Sequence, residues 1–215
     1  MIITFANNKG GVGKTSILAM TAAAMFYLQN RKVAILDTDP QQSISVLSKF
    51  SSRKHPEVFT INRKTSNDEL IDLILDLKSR FDDVLVDTSG YAESEVNRIV
   101  LSLTDITIVP TICTTLDFAA TADFIQSLNY VHNLRKQYGE TPMQIFVLAN
   151  KVRGRVKHEA LVKNFDAQFL GEGIKQHVKF EEVSLDRIAI DMIKSGFQSY
   201  IENLNQVIEP NAVAL

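Results

Sequence analysis

The sequence contains one cysteine, Cys113, among 215 residues. One thiol closes no intrachain disulfide and builds no multi-cysteine metal site, so it reads as a small core residue of a protein in a reducing compartment. Charge of one sign is lacking too. Lys and Arg number 23 against 25 Asp and Glu, a net charge of −2, which excludes a globally basic nucleic-acid coat and leaves only a local basic face open. Long hydrophobic runs are absent: the longest, near 17–28, is broken by Thr21 and is too short to cross a bilayer. No charged leader with an apolar centre opens the chain, because Met1 runs straight into a strand-like stretch. Internal repeats, low-complexity runs and linkers are likewise missing. With 45% hydrophobic residues, these absences lead us to expect one soluble, cytoplasmic domain over 1–215, with a single sizeable core.

The most informative stretch is Asn8-Lys9-Gly10-Gly11-Val12-Gly13-Lys14-Thr15-Ser16. It lies between the apolar run Met1–Ala6 and the helix-like run Ile17–Leu28, and a strand feeding a glycine-rich turn and then a helix is the setting of a phosphate cradle. Without Cβ atoms, Gly10, Gly11 and Gly13 let the backbone N–H groups turn inward as a nest for phosphate oxygens. Lys14 supplies a point charge, Thr15 a hydroxyl suited to Mg²⁺, and the start of the helix a positive dipole end. The strict pattern G-x-x-x-x-G-K-[ST] would place glycine at position 8, where Asn8 stands. The run K-G-G-V-G-K-T-S nevertheless resembles the deviant Walker A box of the ParA/MinD family of ATPases, whose extra lysine corresponds to Lys9.

Further along, Val33–Leu36 reads as a buried strand delivering Asp37 and Asp39 at its C-terminal end, the edge where open α/β sheets bind ligands. By themselves these could be two solvated turn acids before Pro40. The D-T-D-P-Q-Q-S stretch resembles the family's second motif, which implies that Asp37 approaches the magnesium shell and Asp39 positions the attacking water. Asp83–Asp87 has the form of a Walker B strand leading into Thr88-Ser89-Gly90. The resemblance implies that Asp87 holds Mg²⁺ through water and that the Gly90 backbone senses the γ-phosphate, although Ser89 and Tyr91 depart from the prolines common after this aspartate. Ser66 and Glu69 have the spacing of a capping box ahead of a helix to about Arg80. Helices are also expected at 43–52, 93–103, to about Tyr138, at 183–194 and at 197–208. Strands are expected at 58–61, 106–110, 144–149 and 173–180. Asp117 reads equally as part of a dimer face, by resemblance, and as an ordinary first-turn acid. Asn150-Lys151-Val152-Arg153 lacks the acid that pairs with guanine in N-K-x-D, which argues against guanine. Asn150 can hydrogen-bond adenine, as the resemblance implies.

The alternation of strands and helices predicts a three-layer α/β fold, a mostly parallel twisted sheet with helices on both faces. This is the P-loop NTPase fold that the resemblance implies. Residues 151–163 form the densest basic stretch, and Arg153, Arg155 and Lys157 are read as a DNA-contacting surface or as a solvated face. The small ParA type is the nearest likeness. It implies an ATP hydrolase, slow and partner-stimulated, with Lys9, Lys14 and Asp39 as its catalytic residues, that uses ATP and Mg²⁺, forms an ATP-dependent homodimer in which Lys9 reaches across the subunit interface, binds nonspecific DNA and meets a ParB-like or other small adaptor. The expected location is the nucleoid. The alternatives are a MinD-like ATPase on a membrane and a nucleotide-dependent adaptor with little hydrolysis. The first would need an amphipathic anchor, for which the stripe Phe197, Tyr200, Ile201, Leu204 and Val207 offers itself, flanked by acids and followed by Pro210. A reductase with a bridged iron–sulfur cluster is excluded by the single cysteine.

Overall fold

A computed structural model describes residues 1–90, 94–112, 114–152, 167–176, 184–186 and 197–210. Seven strands form one all-parallel sheet in the order β3-β2-β4-β1-β5-β6-β7. They are β1 (Ile2–Phe5), β2 (Val33–Asp37), β3 (Glu57–Thr60), β4 (Asp83–Asp87), β5 (Ile106–Ile112), β6 (Gln144–Asn150) and β7 (Gln168–Phe169). Strands β1, β2 and β4 are buried along their whole length. Their runs are apolar apart from Thr4 and the acids Asp37, Asp83 and Asp87, as expected of a sheet covered on both faces.

Within each strand, alternate residues serve opposite layers. Ile3, Phe5, Ile35, Leu85 and Ile108 join a core with α1 (Lys14–Tyr27), α2 (Ser43–Phe50) and α6 (Gln198–Ile208). Ile2, Ala34, Leu36, Val84 and Val86 face α3 (Asn67–Arg80) and α4 (Glu95–Leu103). Val109 and Ala6 continue that second face onto α5 (Thr115–Gln137). Helix α1 is the central one, with ten of its fourteen residues buried. The sheet lies beneath it, and α6 covers its other side, where Tyr200 and Thr21 share a buried hydroxyl–hydroxyl bond of 2.9 Å.

Pro110 sits in β5 without cost. The ladder to β1 ends at Ile108, and the Pro110 carbonyl on that side accepts from Asn7 Nδ2 at 2.8 Å. The capping box of α3 forms as expected, Ser66 accepting from Glu69 N and Glu69 from Ser66 N. Helix α4 starts at Glu95 behind an N-capping Ser94.

Of the strand expected at 173–180, only 173–176 lie among the described residues. The seventh strand is Gln168–Phe169, whereas residues 173–176 contribute only an isolated bridge between Lys175 and Val152. Gly171 (φ 74°) and Gly173 (φ 88°) turn the chain through left-handed conformations, and a Cβ on Gly173 would lie 2.9 Å from both Cβ and O of Ala149. Glycine at 173 lets the segment pass close to the end of β6, where Ile174 N donates to Ala149 O at 2.8 Å, Val152 N to Ile174 O at 3.0 Å and Gln176 N to Val152 O at 3.0 Å. Tyr91, Cys113, the basic residues Arg153, Arg155 and Lys157, Lys163, the 177–180 portion of that expected strand and nearly all of the helix expected at 183–194 lie outside the described residues.

Candidate nucleotide-binding site

The C-terminal ends of β1, β2, β4 and β6 converge on one cleft of about 520 Å³. Its floor is the loop between β1 and α1. Gly11 and Gly13 have φ of 76° and 96°, conformations that side chains with Cβ resist, and a Cβ on Gly13 would strike Asn150 Nδ2 at 2.4 Å. No side chain caps α1, whose N-cap is Gly13 itself, and its first turn contains no acid. The free N–H groups and positive dipole end therefore face the cleft uncompensated, an arrangement suited to an anion. From outside, Asn150 Nδ2 donates to Val12 O at 2.8 Å and Lys151 Nζ to Gly11 O at 2.9 Å. The end of β6 thus holds the loop in shape.

Lys14 lines this cleft although only 8% of it is exposed. Burial lowers its pKa from the usual lysine value, and the nearby Asp87 and Asp39 carboxylates partly offset that. A Cβ on Gly90 would lie 3.8 Å from Lys14 Nζ, so the loop after β4 closes over the ammonium. Ser16 and Asp39 also line the cleft, Asp39 being the one acid among its described lining residues. The Asp39 carboxylate accepts from Gln41 N at 2.8 Å, which fixes the turn after β2.

Register brings Asp37 and Asp87 level on adjacent strands. Asp87 is fully buried, and Thr15 Oγ1 donates to its Oδ2 at 2.7 Å. Burial foremost, then the Asp37 and Asp39 charges, pushes its pKa up to about 7 against the hydrogen bond from Thr15. Its Oδ1 is buried with no hydrogen-bond partner among the described residues. An orphaned carboxylate oxygen beside a threonine hydroxyl suits a hard divalent cation that keeps most of its waters. Magnesium bound there would supply positive charge to Asp87 and to phosphate oxygens. Asp37 is placed differently: Oδ1 accepts from Asp39 N at 3.2 Å, and Oδ2 from Ile44 N at 3.1 Å and Ser45 N at 3.2 Å. It anchors the first turn of α2 at the edge of the site, and burial still raises its pKa. No cluster of three or more His, Cys, Asp or Glu side chains able to hold a metal occurs among the described residues.

Lys9 stands on the rim, outside the cleft lining, with its Nζ 3.3 Å from Asp117 Oδ1. Asp117 lies in the first turn of α5 and also bonds the N-capping Thr114 hydroxyl. Asp117 thus has the place of an ordinary first-turn acid and also holds Lys9. Ile17, Met20, Lys151 and Gln176 line the cleft as well. Lys151 is marked in the sequence only by its place after Asn150, and Gln176 by nothing.

The family model of the CobQ/CobB/MinD/ParA nucleotide binding domain matches residues 3–189. No curated protein sequence matches the chain. Among solved structures, a plasmid partition protein of Borrelia burgdorferi B31 bound to AMPPNP is 19% identical with a TM-score of 0.68, the match covering 96% of this chain and 98% of that one. The septum site-determining protein MinD of Pyrococcus horikoshii OT3 with Mg-ADP is 20% identical at TM-score 0.67, covering 96% and 95%. MinD in the MinC:MinD complex of Aquifex aeolicus is 15% identical at TM-score 0.69, covering 100% and 97%. At these identities the likeness establishes a common fold, the three-layer α/β arrangement of P-loop NTPases.

Proposed function

The chain belongs to the CobQ/CobB/MinD/ParA nucleotide-binding family, and within it we propose a ParA-type ATPase that positions DNA or another cargo by ATP-dependent dimerisation on nonspecific DNA. One observation supports this above the rest: Lys14, Thr15 with Asp87, Asp39 and Gly90 are gathered around a single cleft at the start of an uncapped helix. In this reading the loop N–H groups and Lys14 hold the phosphates, Thr15 and Asp87 hold Mg²⁺, Asp39 orients water, and Asn150 lies where the base enters. Lys9, on the rim, reaches the phosphates of a second copy. Phosphoryl transfer needs mainly positioning and charge stabilisation, which this set of groups supplies.

A MinD-like action at a membrane has equal support from the fold. Its candidate anchor does not. Phe197, Tyr200, Ile201 and Leu204 are buried against α1 and the sheet, with Val207 packed on them, and among the described residues no helix is long and apolar enough to cross a membrane. That burial makes the stripe core and removes it as the anchor.

The test begins with calorimetry and phosphate release. Lys14→Ala should stay folded and lose most ATP affinity, and unchanged affinity would refute the site. Asp39→Ala should bind ATP, release little phosphate and accumulate as a dimer in sedimentation. If the parent itself releases no phosphate with or without partners, the protein is a nucleotide-dependent adaptor. Co-sedimentation of the ATP-loaded protein with plasmid DNA or with liposomes separates the two tracks.

A further inference from the structure

Helix α4 buries Asn97, Val100 and Leu101, which fall on one stripe at helical spacing. Val100 and Leu101 are the apolar residues such a stripe calls for, and they pack on the second face of the sheet. Asn97 is the exception. An amide only 3% exposed is costly at a core-facing position unless its polar atoms are used. Its backbone N–H donates to the N-capping Ser94 Oγ at 3.1 Å. The side chain turns instead to the loop after β4, where Nδ2 donates to Ser89 O at 3.2 Å and to Ser89 Oγ at 3.3 Å.

That contact lies at the point where the end of β4 stops being held by the sheet. As far as Thr88 the chain is fixed by its neighbours: Thr88 Oγ1 donates to Phe5 O at 2.9 Å, and Thr38 N and Oγ1 donate to Asp87 O at 3.0 and 2.8 Å. Beyond Thr88, hydrogen bonds to the loop among the described residues come from Asn97. Gly90 follows at once. It lines the cleft, and a Cβ there would lie 3.8 Å from Lys14 Nζ, so its backbone stands beside the ammonium with no side chain between. Ser89 O and Gly90 N–H belong to one planar trans peptide and point in opposite directions. Holding the carbonyl toward α4 therefore fixes the N–H away from it.

We propose that Asn97, which does not itself line the cleft, is a positioning residue of the nucleotide site. By gripping the Ser89 carbonyl it sets the direction of the Gly90 N–H, and so the preference of the site for a nucleoside triphosphate over a diphosphate. This rests on the proposed ATP reading, in which the Gly90 backbone senses the terminal phosphate. A backbone donor aimed at an anion makes a strong bond only in the right direction. The phosphates shared by both nucleotides are left to the loop between β1 and α1.

Calorimetry on the full chain with AMPPNP and with ADP, each with Mg²⁺, tests it. Asn97→Leu keeps the volume and the apolar fit of the stripe but removes both bonds to Ser89. It should lower AMPPNP affinity about three- to tenfold, the scale of one hydrogen bond, and change ADP affinity less than about twofold. Should Asn97→Leu not fold, Asn97→Ala carries the same expectation. Leu101→Ala is the control: it loosens α4 without touching Ser89, so it should lower stability to denaturant and keep the parent's ratio of the two affinities. A parent that binds neither nucleotide overturns the ATP reading and this inference with it. A parent that binds both, with an Asn97 variant that keeps the ratio, overturns this inference alone. If Leu101→Ala shifts the ratio as far as Asn97→Leu does, the effect belongs to the packing of α4 and the role of Asn97 is overturned equally.

Discussion

At the scale of single residues, the site combines groups that are costly to bury. Asp87 is held in the fold with its pKa near 7 against an ordinary 3.8. Between those values the folded chain keeps a proton that the unfolded chain has lost, so the unfolded state binds fewer protons and stability falls as pH rises. The loss runs from about pH 4 to about pH 7, at no more than ~1.4 kcal/mol per pH unit for one group, and is flat above. Asp37 adds to it in the same direction. Asp186, whose pKa is lowered to about 2 by hydrogen bonds from Ser184 and Ser52, acts oppositely but only at more acid pH. Asp87→Asn keeps an acceptor for Thr15 and should remove most of the slope. Urea unfolding from pH 5 to 8, without nucleotide or Mg²⁺, would show the variant gaining on the parent as pH rises, and a constant gap would contradict the burial argument. Lys9 supplies the second residue-scale prediction. If it acts across a dimer, its contact with Asp117 must be exchanged, so Asp117→Asn should raise the ATP-dependent dimer fraction. Lys9 is exposed and Asp117 buried, so the pair should contribute at least the upper end of the exposed-pair range, about 1 kcal/mol, a gain of about fivefold. Sedimentation with ATP reads it, and weaker dimerisation would mean that Asp117 serves the dimer directly.

At the scale of elements, α6 decides between two readings of one apolar stripe. A stripe at helical spacing fits a membrane anchor and a core helix equally well in sequence. Here Tyr200 and Leu204 are fully buried and Ile201 nearly so, which makes α6 the lid on α1 and, through α1, a support of the phosphate-binding loop. Leu204→Ala should therefore cost about 2–5 kcal/mol of stability, the range for truncating a buried leucine. Chemical denaturation measures it, and a loss within about 0.5 kcal/mol would return the stripe to the surface. Helix α2 shows a different dependence: its first turn is tied to Asp37, so the second acid motif positions a helix as well as facing the site.

At the scale of the whole molecule, seven parallel strands end on one side, and the strand order places β1 between β4 and β5. That is where loops from β1, β2, β4 and β6 can share one cleft. A dimer closing over two such clefts would carry two copies of every surface patch. The proposed DNA contact through Arg153, Arg155 and Lys157 then has a measurable signature. Affinity of the ATP-bound protein for duplex DNA should fall with salt at a log–log slope of about −0.9 per phosphate contacted. Removing one of these charges should reduce the slope by about one unit and weaken all sequences alike. A triple alanine variant that still dimerises but keeps the parent's affinity and slope would move DNA binding elsewhere.

The sequence by itself determined the layer architecture and the location of the cleft, because both rest on local signals. Short β-branched apolar runs ending in an acid read as strands buried on two faces, and the glycine pattern before Lys14 reads as a tight turn. Ser66 and Glu69 set a helix start by their spacing alone. What tertiary structure decided was everything that depends on residues far apart in the chain. Gly173 is needed where it stands because Ala149 lies 2.9 Å from where a Cβ would be. Asn150 came to buttress the Val12 carbonyl across 138 positions of sequence. Asp87 acquired its raised pKa from burial and from the Asp37 and Asp39 charges, and the stripe of α6 became core. Burial, close approach and charge proximity are properties of packing between distant segments, and no period or motif within one segment encodes them.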